Sequence, residues 1–194
     1  MKRLILCIIC LQFGISKAQE STQYLFDGEL NISGFGGVIG EISLIKDRTI
    51  YSVGGGGGML INQKAFIGGY GMGNVVDNQL FRYNGSAVGL EMGHGGLWFG
   101  YNFLPKKVVH FGLCARTGWG GIGVVDKNGN GILNDGIFVL TPQADLAVNV
   151  LPFMKVNMSI GYRAVTGANN PFITNAELSS PTGLIGFYFG WFGE

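Results

Sequence analysis

Charge and cysteine are scarce in this chain, and a long apolar run is missing altogether. Only 13% of its 194 residues are charged. Soluble domains carry about 25%, so a solvated surface of the usual kind is not encoded here. After residue 18 no stretch reaches 18 uninterrupted apolar residues, which excludes a helical membrane span. Yet 47% of the residues are hydrophobic, with 14 Phe, and glycine is abundant at 35 residues against 5 prolines. Disordered glycine-rich chains are poor in apolar residues, so disorder is excluded as well.

Cysteine thins further once the N-terminus is read. Met1-Lys2-Arg3 is basic, residues 4–15 are apolar apart from Gln12 and Gly14, and Ser16-Lys17-Ala18 offers small residues before a cut. This pattern predicts a secretory signal peptide over residues 1–18 and a single domain over 19–194. Ile9 precedes Cys10 where a lipoprotein signal has a small residue, so lipidation is not expected. Cleavage removes Cys7 and Cys10 and leaves Cys114 alone, so no intrachain disulfide can form. It also removes Lys2, Arg3 and Lys17. The 13 basic residues become 10 against 12 acidic ones, a net charge of −2. No bulk charge attracts nucleic acid.

What remains is period-two alternation. Eight apolar segments are read at about 29–41, 50–61, 65–75, 87–103, 108–125, 137–151, 155–167 and 183–192. The gaps at 62–64, 104–107 and 152–154 are short. Those at 77–86, 126–136 and 168–182 are long and polar, and the one at 45–49 is intermediate. Short turns at one end and long loops at the other, with an even strand count, describe a barrel crossing an outer membrane. A closed barrel pairs every backbone group inside lipid, and this answers the high apolarity without a helix. The expected fold class is all-β, an eight-stranded antiparallel up-and-down transmembrane β-barrel. Tyr51, Tyr70, Trp98, Tyr101, Tyr162 and Trp191 are the residues expected in its aromatic girdles. Glycine at inward positions of residues 54–58 and 68–73 is expected to relieve crowding in a narrow interior.

Alternation also assigns an inner polar face. In 137–151 it holds Thr141, Gln143, Asp145 and Asn149, opposite Phe138, Leu140, Leu146 and Val148. His110 and Arg116 fall on it in 108–125, Arg163 in 155–167, and Glu91 is read there too. Glu91, Arg116, Asp145 and Arg163 are expected to form a lumen network, with Asp145 and Arg163 adjacent across the turn at 152–154. Three functions stay open on these residues. A structural or accessory barrel uses the network as a plug, with external loops available to a partner. A small-solute channel uses it as a selective lining. A lipid-modifying hydrolase needs a Ser nucleophile beside a His base, for which the chain offers only His94 and His110, with Ser86 some strand length from His94.

Asp126-Lys127-Asn128-Gly129-Asn130-Gly131 matches the first half of a calcium loop, with oxygen ligands at Asp126, Asn128 and Asn130. The twelfth position is Ile137 rather than Glu, and Asn-Gly is also ordinary turn chemistry. No cofactor is expected.

The glycine run at 54–58, Gly68-Gly69-Tyr70-Gly71, Gly95-Gly96-Leu97-Trp98-Phe99-Gly100-Tyr101, Gly161-Tyr162-Arg163 and the aromatic end Phe187-Tyr188-Phe189-Gly190-Trp191-Phe192 carry a resemblance. The chain resembles small outer-membrane barrels of the OmpA/OmpX-like eight-strand type, in motif style those of Bacteroidota. The resemblance implies residence in the cell outer membrane, contact with its lipids and insertion by the outer-membrane assembly machinery. It carries over no catalytic residue.

Overall fold

A computed structural model describes residues 29–75 and 81–192. The signal peptide read at 1–18 lies outside the described residues. The chain divides into Met1–Leu30 and Asn31–Glu194, and the strands belong to the second unit. They are β1 Ile32–Ile45, β2 Arg48–Ile61, β3 Ala65–Asn74, β4 Phe81–Tyr83, β5 Ser86–Phe103, β6 Val109–Asp126, β7 Gly131–Leu151, β8 Met154–Thr166 and β9 Ser180–Gly190. One short helix, α1 Asn175–Leu178, precedes β9.

Every pairing is antiparallel. The order β3-β2-β1-β9-β8-β7-β6-β5 closes on itself because β3 also pairs β5. Eight strands therefore form a ring, and β4 is a short extra strand hairpinned onto β5 through Tyr83↔Ser86. Closure leaves no edge in the ring. The turns β2–β3, β5–β6 and β7–β8 share one end with Asn31 and Phe192, hereafter the terminal end. The β1–β2, β4–β5, β6–β7 and β8–β9 connections lie at the far end.

Turn chemistry pins the register. Lys46 and Asp47 both take positive φ, 49° and 60°, in the two-residue hairpin that continues the strand twist. Asn62 and Gln63 do the same at the terminal end. Two expectations change here. The gap read at 45–49 is only Lys46-Asp47, and the long loop read at 126–136 is the hairpin tip Lys127–Asn130. In β1 the alternation runs on to the turn, with Ser43 and Ile45 buried and Ile42 and Leu44 exposed.

The outer face is apolar. Val38, Val53, Leu97, Phe111, Leu113 and Ile185 are all exposed, and Ile160 is 73% exposed. Tyr51, Tyr101, Tyr162 and Trp191 lie on this face as girdle residues should. Tyr70 and Trp98 do not; both are buried inside, a correction to the reading above. Their even positions point inward, where glycines face them. A Cβ on Gly56 would lie 3.1 Å from the Tyr70 Cβ and 3.2 Å from the Trp98 ring. The glycine run of β2 thus makes room for the two largest rings of β3 and β5.

The interior is layered. Towards the terminal end Ile39, Leu60, Phe66, Tyr70, Trp98 and Tyr188 form one apolar cluster. Towards the far end Ile45, Leu90, Ile122, Val139, Ile173 and Leu178 belong to another. Along β1, Glu41 stands between Ile39 and Ile45; along β6, Arg116 stands between Cys114 and Ile122. A charged layer is therefore sealed between two apolar ones.

Candidate functional site

The charged layer is centred on Glu41. Its Oε1 accepts from Arg163 Nη1 at 3.4 Å, and its Oε2 accepts from Arg116 Nη2. Glu41 is 4% exposed, Arg116 1% and Arg163 2%. Two guanidiniums thus share one carboxylate out of water, where an unpaired charge costs several kcal/mol. The other guanidinium nitrogens also have partners. Arg116 Nε donates to Gln143 Oε1 at 3.1 Å, and its Nη1 points at the Met72 sulfur. Arg163 Nε donates to the Leu178 carbonyl at 3.2 Å and Nη2 to Ser180 Oγ at 3.5 Å. The Arg116 guanidinium also lies 5.4 Å from the Tyr70 ring centre.

Of the four network residues read from the sequence, Arg116 and Arg163 meet here. Glu91 does not join them. It is exposed on the outer face of β5, because Leu90 and Met92 occupy the inward positions. Asp145 is buried on the inner face but forms no salt bridge among the described residues, and its Oδ1 has no hydrogen-bond partner. Its neighbour across β8 is Ser159, not Arg163, which pairs with Ser180 on β9. The residue that sequence reading missed is Glu41. The signal was present: Glu41 and Ser43 alternate with Ile42 and Leu44 in an unbroken strand.

The hydrolase pair is not assembled. His94 is turned into the lumen with Nδ1 3.0 Å from the Tyr70 hydroxyl. Ser86 begins the same strand eight residues away, roughly 27 Å along an extended chain. The loop read for calcium is closed on itself. Asp126 Oδ1 accepts from the Asn128 and Asn130 amides at 2.7 and 2.8 Å, and Oδ2 accepts from Asn130 Nδ2 at 3.0 Å. The Asn130 side chain first, and then the loop amides, hold the Asp126 carboxyl below its usual range. Ile137, at the twelfth position, is buried in the far-end cluster and offers no ligand. Among the described residues no three His, Cys, Asp or Glu gather as a metal would need.

The far end is closed by a strap, residues 167–179. Its Phe172, Ile173 and Leu178 are buried in the far-end cluster. Asn169 N and Asn170 Nδ2 donate to Asp135 Oδ2 at 3.0 and 2.7 Å. Lys46, on the β1–β2 turn, donates to the Phe172 carbonyl, sits 4.0 Å over that ring and lies 3.9 Å from Glu177. Thr174 and Glu177 form a reciprocal capping box on α1. Desolvation pushes the Glu177 carboxyl up. The Thr174 hydrogen bonds and Lys46 outweigh it and hold the group below the usual carboxylate range.

No protein-family model matches the chain, and no curated protein matches it. Solved structures do. Neisserial surface protein A (NspA) is 11% identical with a TM-score of 0.56, over 84% of this chain and 99% of that one. Ail, the attachment invasion locus protein of Yersinia pestis, solved with the heparin analogue sucrose octasulfate, is 13% identical. Its TM-score is 0.51, again over 84% and 99%. This chain has the fold of a small eight-stranded outer-membrane β-barrel. At these identities the likeness carries the fold alone, and the narrower resemblance to Bacteroidota barrels finds no counterpart in it. As such a barrel, the chain carries an exposed apolar belt around the ring and gathers its strap and hairpin tips at one end.

Proposed function

We propose that this protein is a non-enzymatic barrel of the outer membrane whose lumen is a structural plug and whose far-end loops form its working surface. The observation that carries this reading is the Arg116–Glu41–Arg163 cluster sealed between two apolar layers. A conduit needs a wetted path, and here the charges are spent on one another. In this reading a cleaved leader, residues 1–18, sends the chain across the inner membrane. The assembly machinery then reads the aromatic last strand, Ser180–Gly190. The partners are membrane lipids along the belt and a surface ligand at the far end. Ail was solved with a heparin analogue, and that supports looking for an extracellular polyanion or protein partner there.

The test is outer-membrane fractionation followed by a denaturing gel of boiled and unboiled samples, with single-channel recording on the same preparation. We expect a membrane-borne band that shifts only on boiling, and no conductance at any voltage. A soluble periplasmic band overturns the barrel placement, and unitary current steps overturn the plug.

A further inference from the structure

At the terminal end the lumen contains a chamber that the plug does not explain. It has a volume of about 40 Å³ and its walls include Phe35, Phe66, Trp98, His110, Lys155 and Tyr188. Three polar groups on these walls are left over. Lys155 is only 6% exposed and forms no salt bridge among the described residues. His110 Nε2 is buried with no hydrogen-bond partner, and the buried Trp98 Nε1 has no nitrogen or oxygen acceptor, lying beside the weakly accepting Cys114 sulfur. Among the described residues the buried charged side chains are Arg116, Arg163 and Lys155 against Glu41 and Asp145, a surplus of one positive charge. Asp145 does not neutralise Lys155. It stands four residues along β7 from Asn149, the register partner of Lys155, roughly 13 Å by strand rise.

The leftover groups differ in kind. Lys155 is a cation and donor, and Trp98 Nε1 is a neutral donor. His110 Nδ1 lies 3.2 Å from the Lys107 carbonyl, so that nitrogen carries the proton and Nε2 of the neutral ring is an acceptor. Their complement is a group with one negative charge, acceptor oxygens and one hydroxyl. The chamber sets its size: at about 10–15 Å³ per water, 40 Å³ admits roughly three waters or one four-atom anion.

Access is from the terminal end. Phe192 borders both the chamber and an open bowl of about 690 Å³ beside Asn62, Pro105 and Pro152. Its ring covers the Lys155 ammonium at 4.3 Å. Among the described residues its backbone makes one hydrogen bond, Phe192 N to Pro152 O at 3.1 Å. Phe192 is therefore the residue shared by the chamber and the bowl, and its ring narrows the passage between them. The Arg116–Glu41–Arg163 layer closes the other side, so the chamber is a dead end and not a section of a pore.

We infer that this chamber is a binding site for a small singly charged oxyanion that retains one hydroxyl, of the hydrogencarbonate type. Lys155 and Trp98 Nε1 donate to its oxygens, and His110 Nε2 accepts from its hydroxyl. Phe192 is the door.

The experiment uses Trp98 as the reporter in the full chain folded in micelles, with Trp119→Phe and Trp191→Phe removing the other two fluorophores. Iodide is the quencher at constant ionic strength, and hydrogencarbonate and nitrate are the displacers. We expect iodide quenching with a saturable component, displaced by hydrogencarbonate at several-fold lower concentration than by nitrate. Lys155→Met should abolish the saturable component and Lys155→Arg should restore it. His110→Phe should erase the preference for hydrogencarbonate, and Phe192→Ala should speed entry. A gel shift on boiling checks that each variant is folded, so that a failed barrel and a failed site are told apart. Quenching that is linear, or that survives Lys155→Met in a folded variant, overturns the site. Equal displacement by the two anions overturns the hydroxyl assignment. If Glu194→Gln creates a saturable component that the parent lacks, Lys155 serves the chain's own terminus and the site is withdrawn.

Discussion

Glu41 and Glu91 are the same side chain on two faces of one wall, and their surroundings give them opposite weights. Glu41 neutralises two buried guanidiniums, so Glu41→Gln leaves both without a counter-charge. Breaking a buried ion pair from one side costs about 3–5 kcal/mol. Glu91→Gln changes an exposed group and should stay within about 0.5 kcal/mol. Urea unfolding of the two variants in micelles, followed by tryptophan fluorescence, separates them; equal midpoints would remove the charged layer as a stabilising element. The contrast also explains why the sequence reading put Glu91 on the wrong face. Polar-inward is a sound rule where lipid lies outside. Near Glu91 the wall has passed the apolar belt, and the inner face is itself apolar at Leu90, Met92 and Ile122. There the rule inverts, as in a soluble barrel, and alternation alone does not say at which height the inversion falls.

The strap shows the same limit at the scale of an element. Its residues 168–182 read as a long polar gap, and nothing in a local window reveals that Phe172, Ile173 and Leu178 turn down into the mouth. The strands themselves were legible to within a few residues, because an apolar outer face and a crowded lumen enforce period two over 10 to 21 residues per strand of the ring. The strap obeys no period. It is fixed by single contacts from distant turns, Lys46 and Asp135 among them. One of these contacts titrates. The folded Glu177 carboxyl is held below its usual value, so its contribution is present above the unfolded value and is lost as pH falls through the folded one. Acidification through the carboxylate range should therefore loosen the strap while the barrel stays intact. Hydrogen-exchange protection at residues 167–179, taken relative to the intrinsic rate at each pH, should fall across that range in the parent. In Glu177→Gln the protection should be low and independent of pH. Protection that is flat with pH in the parent would show that Lys46 and the capping box do not hold the strap. Glu177 is well exposed, so only local opening is expected and not loss of the fold.

For the whole molecule the question is which layer closes the barrel. The strap seals the far-end mouth, and if it were the only seal, its removal would make a pore. Beneath it, however, Leu90, Ile122 and Val139 still meet across the lumen. Below them Arg116 and Arg163 converge on Glu41, and below those Phe66, Trp98 and Tyr188 pack in the terminal half around the dead-end chamber. An eight-stranded ring is just wide enough to be filled by its own side chains, and an ion crossing this one would have to displace each layer in turn. Replacing residues 168–178 by a short Gly-Ser turn should therefore give a barrel that still shifts on boiling and remains silent in a planar bilayer. Adding Glu41→Gln to that deletion tests the next layer down. The two guanidiniums then repel one another, and water is drawn between them to solvate the unpaired charge. Anion-selective leak is expected only in this combined variant, since the exposed layer would carry two positive charges and no carboxylate. Current from the strap deletion alone would place the seal at the mouth and reduce the charged layer to a stabilising role.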